Sequence, residues 1–310
     1  MGVRRPLGVS RSLPVRACVF ALLAGACQAS AGPSPLGPER LISVVAAESF
    51  WGSIAGQLGG SHVRVKSIVS GPTADPHSYE PTAADARAVA FAQMIIVNGV
   101  GYDPWMPHLL AADSGHHTVL NVGRVAGVPD GGNPHRWYNP ADVQTVVSAL
   151  TADYSRLDPQ DAGYFRNRRL AFIGSDLHEY DSLILQIKGR YGGTPVGASE
   201  SIFSMVAPAL GLDVVTPYSF LKAISEGTDV SPADRARIDS QIRHHLIRIY
   251  VYNPQNTTPD VQSQLRECKA AGIPTAVITE TLTPASATYQ AWQSRQLQGI
   301  LDALAKASPR

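Results

Sequence analysis

The chain has 310 residues, enough for about two domains at about 150 residues each, and 44% of them are hydrophobic, enough for a sizeable core. Charged residues make up 16%, with 26 Lys and Arg against 25 Asp and Glu, so no basic excess offers itself to a nucleic-acid backbone and no net charge argues for disorder. No apolar run reaches the ~18 residues of a bilayer span, which excludes a polytopic membrane protein.

The N-terminal segment, residues 1–31, reads as an export signal. Arg4, Arg5, Arg11 and Arg16 form a positive region without an acid, and a short apolar run, Ala17 to Ala26, follows. Two ends are open to it. Leu23-Ala24-Gly25-Ala26-Cys27 resembles a bacterial lipobox, with Ala24 where Leu is usual, and would make Cys27 the lipidated N-terminus. Ala29-Ser30-Ala31 is an A-x-A cleavage site that would release a soluble protein. Removal of the segment leaves 22 basic and 25 acidic residues, a mildly acidic chain better suited to a cation than to an anion. Cys268 is then the one cysteine left in the folded part, so neither an internal disulfide nor a thiolate cluster for zinc can form.

From residue 41 onward, strand-like and helix-like runs alternate, the grammar of α/β lobes with parallel sheets. Residues 42–47 (ISVVAA) predict a buried strand, 49–59 a helix, 63–69 (VRVKSIV) a strand, 83–91 a helix, 94–98 (MIIVN) a strand, 104–112 a helix and 118–122 an extended run. Asn139 and Pro140 open a helix over 141–156, as N-cap and first helical residue. Asp158-Pro159 restarts the helical period, which continues to about Arg190 with Tyr164, Leu170, Phe172, Ile173, Leu177 and Ile187 among its apolar positions. Such a helix, about 45 Å long at 1.5 Å per residue, reads as a rod joining two lobes. The grammar then repeats: strands at 195–199, 247–252 and 274–279, and helices over 201–210, after Ser231-Pro232, from Thr258-Pro259 to Gly272, and over about 286–305. The expected organisation is an N-terminal lobe over 41–157, the long helix over 158–190 and a C-terminal lobe over 191–310. Residues 46–59 and 198–211 share six of fourteen positions without a gap, which points to internal duplication.

Four side chains stand just beyond strands, where ligands of open α/β sheets bind. His77 lies in Asp75-Pro-His-Ser-Tyr-Glu-Pro81, a loop stiffened by prolines; it is a metal donor or the tip of a turn. His135 lies in Asn133-Pro-His-Arg-Trp137 and has the same two readings. Glu200 follows a strand at a helix entrance, where a carboxylate also suits the helix dipole; Glu48 occupies the matching place in the first half and is its internal control. Glu280 ends an apolar strand and needs a cation, a partner or solvent. Two imidazoles and two carboxylates form a four-donor set for a divalent transition metal. No HExxH, GxSxG or P-loop is present. His116-His117 reads as a polar loop pair, His244-His245 as a helix end, His108 and His178 as helix surface, and Cys268 as a small core or surface residue.

With these two loops, the long helix and an acid after each of two C-lobe strands, the sequence resembles the metal-binding solute receptors of ABC importers for zinc, manganese or iron, over about Leu41 to Ala305. The resemblance implies two similar α/β lobes, each a mainly parallel sheet flanked by helices, joined by one rigid helix, with the metal in the cleft between them. It implies His77, His135, Glu200 and Glu280 as the ligands. Glu in place of His at position 200 leans toward manganese or iron, whereas Zn²⁺ binds nitrogen and oxygen sites more tightly than Mn²⁺ in general. Zinc and manganese therefore both stay open, with iron behind them, and so does whether a water or Glu48 joins the four donors. The same resemblance implies no enzyme activity, a monomer, a membrane permease with its cytoplasmic ATPase as partner, no nucleic acid, and a place outside the cytoplasmic membrane, anchored to its surface if Cys27 is lipidated. Two other readings use the same residues: a secreted metallohydrolase with Glu200 or Glu280 as base, and a surface adhesion lipoprotein with a structural metal.

Overall fold

A computed structural model describes residues 12–13, 41–71, 79–129 and 131–307. Cys27, the export signal apart from residues 12–13, and His77 lie outside the described residues. Residues Arg40–Arg310 form one compact unit.

Its first sheet contains β1 (Ile42–Glu48), β2 (Val63–Val69), β3 (Met94–Val97) and β4 (Thr118–Asn121), all parallel, in the order β2-β1-β3-β4. The second contains β5 (Pro195–Ala198), β6 (Asp213–Val214), β7 (Tyr250–Tyr252) and β8 (Thr275–Val277), again parallel, in the order β6-β5-β7-β8. The two orders are the same permutation, so the two halves share a topology as well as the sequence match at their first strands. Central strands of both sheets are buried apolar runs, as expected for parallel sheets covered on both faces.

Helices cover the sheets. In the first lobe these are α1 (Ser49–Gly59), α2 (Ala83–Ala90), α3 (Trp105–Ala112), the short α4 (Val122–Val125) and α5 (Pro140–Leu157). Local chemistry sets their ends. Asn139 Oδ1 accepts from the N–H groups of Ala141 and Asp142, with Pro140 in the first turn. Thr82 and Asp85 form a reciprocal capping box for α2. The second lobe has α8 (Phe203–Leu210), α9 (Tyr218–Ser225), α10 (Pro232–Arg243), α11 (Pro259–Ala271) and α12 (Tyr289–Ala307). Gly211 and Gly272 end α8 and α11 in the left-handed region, φ 64° and 70°, a conformation that glycine adopts without steric cost. Neither β6 nor α9 is foreseen in the sequence: the strand is two residues long, and α9 follows it too closely for a period to show.

Between the lobes the chain is helical from Ala162 to Tyr191, but not as one regular α-helix. α6 (Ala162–Ala171) passes through a π turn at Phe172–Asp176 into α7 (His178–Tyr191). The extra residue rotates the apolar stripe, which explains why Leu170, at a core position by simple period, is 65% exposed, while Phe172, Tyr180 and Ile187 are buried. α6 packs on α5 and α1, and α7 packs on α12 and α8. The C-terminal helix α12 also crosses to α1, where Gln57 and Gln290 exchange side-chain hydrogen bonds at 2.7 and 3.1 Å. No helix among the described residues is long and apolar enough to cross a membrane. Cys268 is a core residue on α11, and burial pushes its thiol up to about 12.

Candidate metal centre

His135, Glu200 and Glu280 all stand at the carboxyl edges of the two sheets. His135 precedes a 3-10 turn (Arg136–Tyr138) that leads into α5, and its imidazole is completely buried. Trp137 meets the ring edge-on at 5.3 Å, Tyr102 does so at 5.8 Å, and Trp137 itself stacks on Phe50 at 3.9 Å. The ring is thus held in an aromatic wall. Its polarity is set by Asn133, whose Oδ1 accepts from the His135 main-chain N–H at 3.1 Å and lies 2.8 Å from Nδ1. An amide oxygen only accepts, so Nδ1 is the donor to it, and Nε2 is the ring nitrogen left for a partner on the other side. That Nε2 faces Glu280 Oε1 at 3.3 Å, across the lobes. Two acceptors at this separation repel unless a proton or a cation lies between them.

Glu280 follows β8, and its side chain is 13% exposed. Its main-chain N–H donates to Gln255 Oε1 at 2.8 Å, and Gln255 Nε2 donates to Thr281 Oγ1 at 2.8 Å, so the β7–α11 loop fixes the strand end. The same loop reaches the other acid: Asn253 Nδ2 donates to Glu200 Oε2 at 3.0 Å. Glu200 Oε1 is buried without a hydrogen-bond partner. Desolvation, and after it the negative charge of Glu280, push the Glu200 carboxyl up to about 8, against the opposing hydrogen bonds of Asn253 and Asn256. A buried, orphaned carboxylate oxygen beside a second carboxylate is unfavourable by itself and is relieved by a bound cation. The donor set is chemically suited to a divalent transition metal. The three described residues do not yet bring one donor atom each within 4.8 Å of one another, so His135 and Glu280 are together and Glu200 stands back. A cavity of about 430 Å³ opens beside His135, walled by Asn133, Ser201 and Ser225 and edged by Lys222 and Glu226.

Glu48, the internal control, is completely buried with both carboxylate oxygens unpartnered. Burial, and then the charge of Asp103, raise its carboxyl well above the ordinary range. The amides Asn133, Asn253 and Gln255 are absent from the sequence-based set. For Asn133 a signal exists, an Asn two residues before the histidine in an Asn-Pro turn; the other two come close only through folding. His117 is no free loop residue: Nδ1 lies 2.7 Å from the Ala92 carbonyl, and Nε2 pairs with Asp113. His62, Asp158 and Asp161 bring one donor atom each within 4.8 Å at the opposite edge of the first sheet, with His62 Nδ1 and Asp161 Oδ2 paired at 2.9 Å.

Comparison with known proteins agrees with this frame. Residues 44–303 match the family described as ZnuA, zinc-uptake complex component A, periplasmic. The chain is 30% identical over 220 residues to the manganese-binding lipoprotein MntA of Halalkalibacterium halodurans, covering 68% of this chain and 71% of that one. It is 22% identical over 223 residues to the iron-binding protein YfeA of Yersinia pestis, covering 68% and 67%. Among solved structures, the Mn-bound periplasmic metal-binding protein from Candidatus Liberibacter asiaticus superposes with a TM-score of 0.71 at 19% identity, over 84% of this chain and 99% of that one. The chain belongs to the zinc-uptake component A family.

Proposed function

We propose, with family membership as the premise, that this protein captures one divalent transition metal ion outside the cytoplasmic membrane and delivers it to an ABC importer permease driven by a separate ATPase. Zinc and manganese are the leading cargoes and iron the third. His77, His135, Glu200 and Glu280 are the donors. The observation that carries this reading is the meeting of His135 Nε2 with Glu280 Oε1 at 3.3 Å, one acceptor from each lobe. An ion would take the place of a proton between them, bonding to both, and would draw in the orphaned Oε1 of Glu200. Capture needs no open coordination position and no general base, which favours a receptor over a hydrolase. On this reading residues 1–31 direct export, Cys27 carries the lipid, and the lobes 41–157 and 191–310 close about the helical link 158–190.

The test is thermal unfolding of the metal-stripped mature protein, titrated with Zn²⁺, Mn²⁺ and Fe²⁺ beside His77→Ala and Glu280→Ala. An ion at 1,000 times its dissociation constant should add about 4 kcal/mol to native stability. That shift is expected in the wild type and lost in both variants, and the order of the ions identifies the preferred cargo. No shift with any ion overturns the proposal.

A further inference from the structure

The His135 loop touches the second lobe at more than the proposed metal position. Asn133 lies in the first lobe, ahead of the His135 turn. Its Nδ2 donates to the main-chain carbonyl of Ser201 at 2.8 Å, and Ser201 is the residue after Glu200. Its Oδ1 accepts from the main-chain N–H of His135 and faces His135 Nδ1. The carboxamide cannot be turned round, because its oxygen meets donors and its nitrogen meets a carbonyl. Ser201 is itself tied down: its N–H donates to Ser225 Oγ at 3.1 Å, the two hydroxyls lie 2.9 Å apart, and Ser201 Oγ is 3.4 Å from His135 Nδ1. One residue further on, Arg136 Nη1 bonds the Asn133 carbonyl at 3.4 Å and reaches Met205 Sδ at 3.8 Å on α8.

We propose that Asn133 is a positioning residue that couples closure of the lobes to the binding state of the site: one carboxamide fixes the donor direction of His135 and holds the Glu200 segment against it. This rests on the reading of His135 and Glu200 as metal donors. The physical reason is that the two functions share one rigid group. A separation of the lobes that breaks the Asn133–Ser201 bond leaves the carboxamide held on the His135 side alone, so the acceptor of the His135 Nδ1–H is less firmly fixed. A ligand histidine whose second ring nitrogen is not held binds metal less well, commonly by about 10–100-fold in affinity. Opening would thus weaken the site from both lobes at once, which is what a receptor needs when it hands over its cargo.

The experiment compares wild type, Asn133→Asp and Asn133→Ala. The Asp variant keeps an acceptor for His135 Nδ1–H and replaces the donor to Ser201 with an oxygen that repels its carbonyl. Two readouts are taken: amide hydrogen exchange over residues 199–205 in the metal-free protein, and chelator-driven release of Zn²⁺ and Mn²⁺ from the loaded protein. Both variants are expected to exchange faster at 199–205 and to release metal faster, by about 10-fold or more for Asn133→Ala, which loses the support of His135 Nδ1–H as well as the Ser201 bond. Release at the wild-type rate from Asn133→Asp, with faster release confined to Asn133→Ala, overturns the coupling and leaves Asn133 serving His135 alone. Wild-type exchange at 199–205 in both variants overturns it as well. A wild type that takes up neither ion defeats the receptor reading instead, and the exchange of the metal-free proteins still decides whether Asn133 holds the lobes together.

Discussion

The two lobes place the same residues at the tips of the same strands and use them differently. Register pairs Ala46 of β1 with Ile96 of β3, and Ala198 of β5 with Val251 of β7, so Glu48 and Asn98 correspond to Glu200 and Asn253. In the C-terminal lobe the asparagine serves the carboxylate: Asn253 Nδ2 donates to Glu200 Oε2 at 3.0 Å, and its Oδ1 accepts from the Gln255 N–H at 2.9 Å. In the N-terminal lobe Trp51 takes the place that Phe203 has in the other half, and its indole N–H donates to Asn98 Oδ1 at 3.0 Å. The amide of Asn98 is then turned to the Pro134 carbonyl at 2.9 Å, directly before His135, and Glu48 is left with no partner. A topology used twice thus supplies a carboxylate at each first-strand tip, and the neighbour decides its work. One asparagine supports an acid, the other supports a histidine loop.

The largest effect that can break this contrast is on metal binding. With an ion at 1,000 times its dissociation constant, Glu200→Ala should lose most of a stabilisation of about 4 kcal/mol, and Glu48→Gln should keep it. Thermal unfolding with and without the ion measures both. The reverse pattern would make Glu48 the donor and Glu200 the buried bystander.

A second contrast is in pH. The Glu48 carboxyl is raised above its ordinary value by burial and by Asp103, so the native state holds a proton that the unfolded chain releases at about pH 4.3. Where the native state binds more protons than the unfolded state, stability falls as pH rises. The metal-free wild type should therefore lose stability upward from about pH 4.3 toward the folded-state value of the group. Glu48→Gln removes this share of the slope: it should match the wild type near pH 4 and exceed it near pH 7. Glu200, pushed up to about 8, adds a slope of the same sign that the Gln variant keeps. Denaturant midpoints at several pH values test this, and parallel curves for the two proteins would refute it.

Much of the architecture is legible in the sequence because its signals are local. Strand 42–48 is a short apolar run and 63–69 alternates Val with Arg and Lys before ending in Ile-Val, and Asn139-Pro140, Ser231-Pro232 and Thr258-Pro259 announce helices by their capping chemistry. What escapes is relational. The π turn at 172–176 changes the helical phase with only Gly174-Ser175 to mark it, a pair that does not by itself give the direction or size of the shift, so Leu170 is assigned to the wrong face. His135, Glu200 and Glu280 can be singled out by their places after strands, and Asn133 by its Asn-Pro turn, but Asn253 and Gln255 cannot. Gln255 and Glu280 are 25 residues apart and Asn253 and Glu200 are 53 apart, so only the sheet order brings them together.

The smallest and sharpest test copies the second lobe into the first. Trp51→Phe installs the residue that stands at the matching position 203 and removes the indole donor to Asn98. Loss of one buried neutral hydrogen bond should cost about 1 kcal/mol, rising toward about 3 kcal/mol if Asn98 Oδ1 is left without any donor. The lower figure is expected, because burial raises the Glu48 carboxyl well above its ordinary value, and its protonated form has an O–H to offer an amide that corresponds by register to the partner of Glu200. A double-mutant cycle with Glu48→Leu, which has no hydrogen-bond donor at that position, separates the possibilities. An interaction energy above about 0.5 kcal/mol means that Asn98 has turned to the acid, as Asn253 does, and that Trp51 alone keeps the two lobes different. Additive losses mean that Asn98 stays on the Pro134 carbonyl without Trp51, and that the His135 loop itself holds it there.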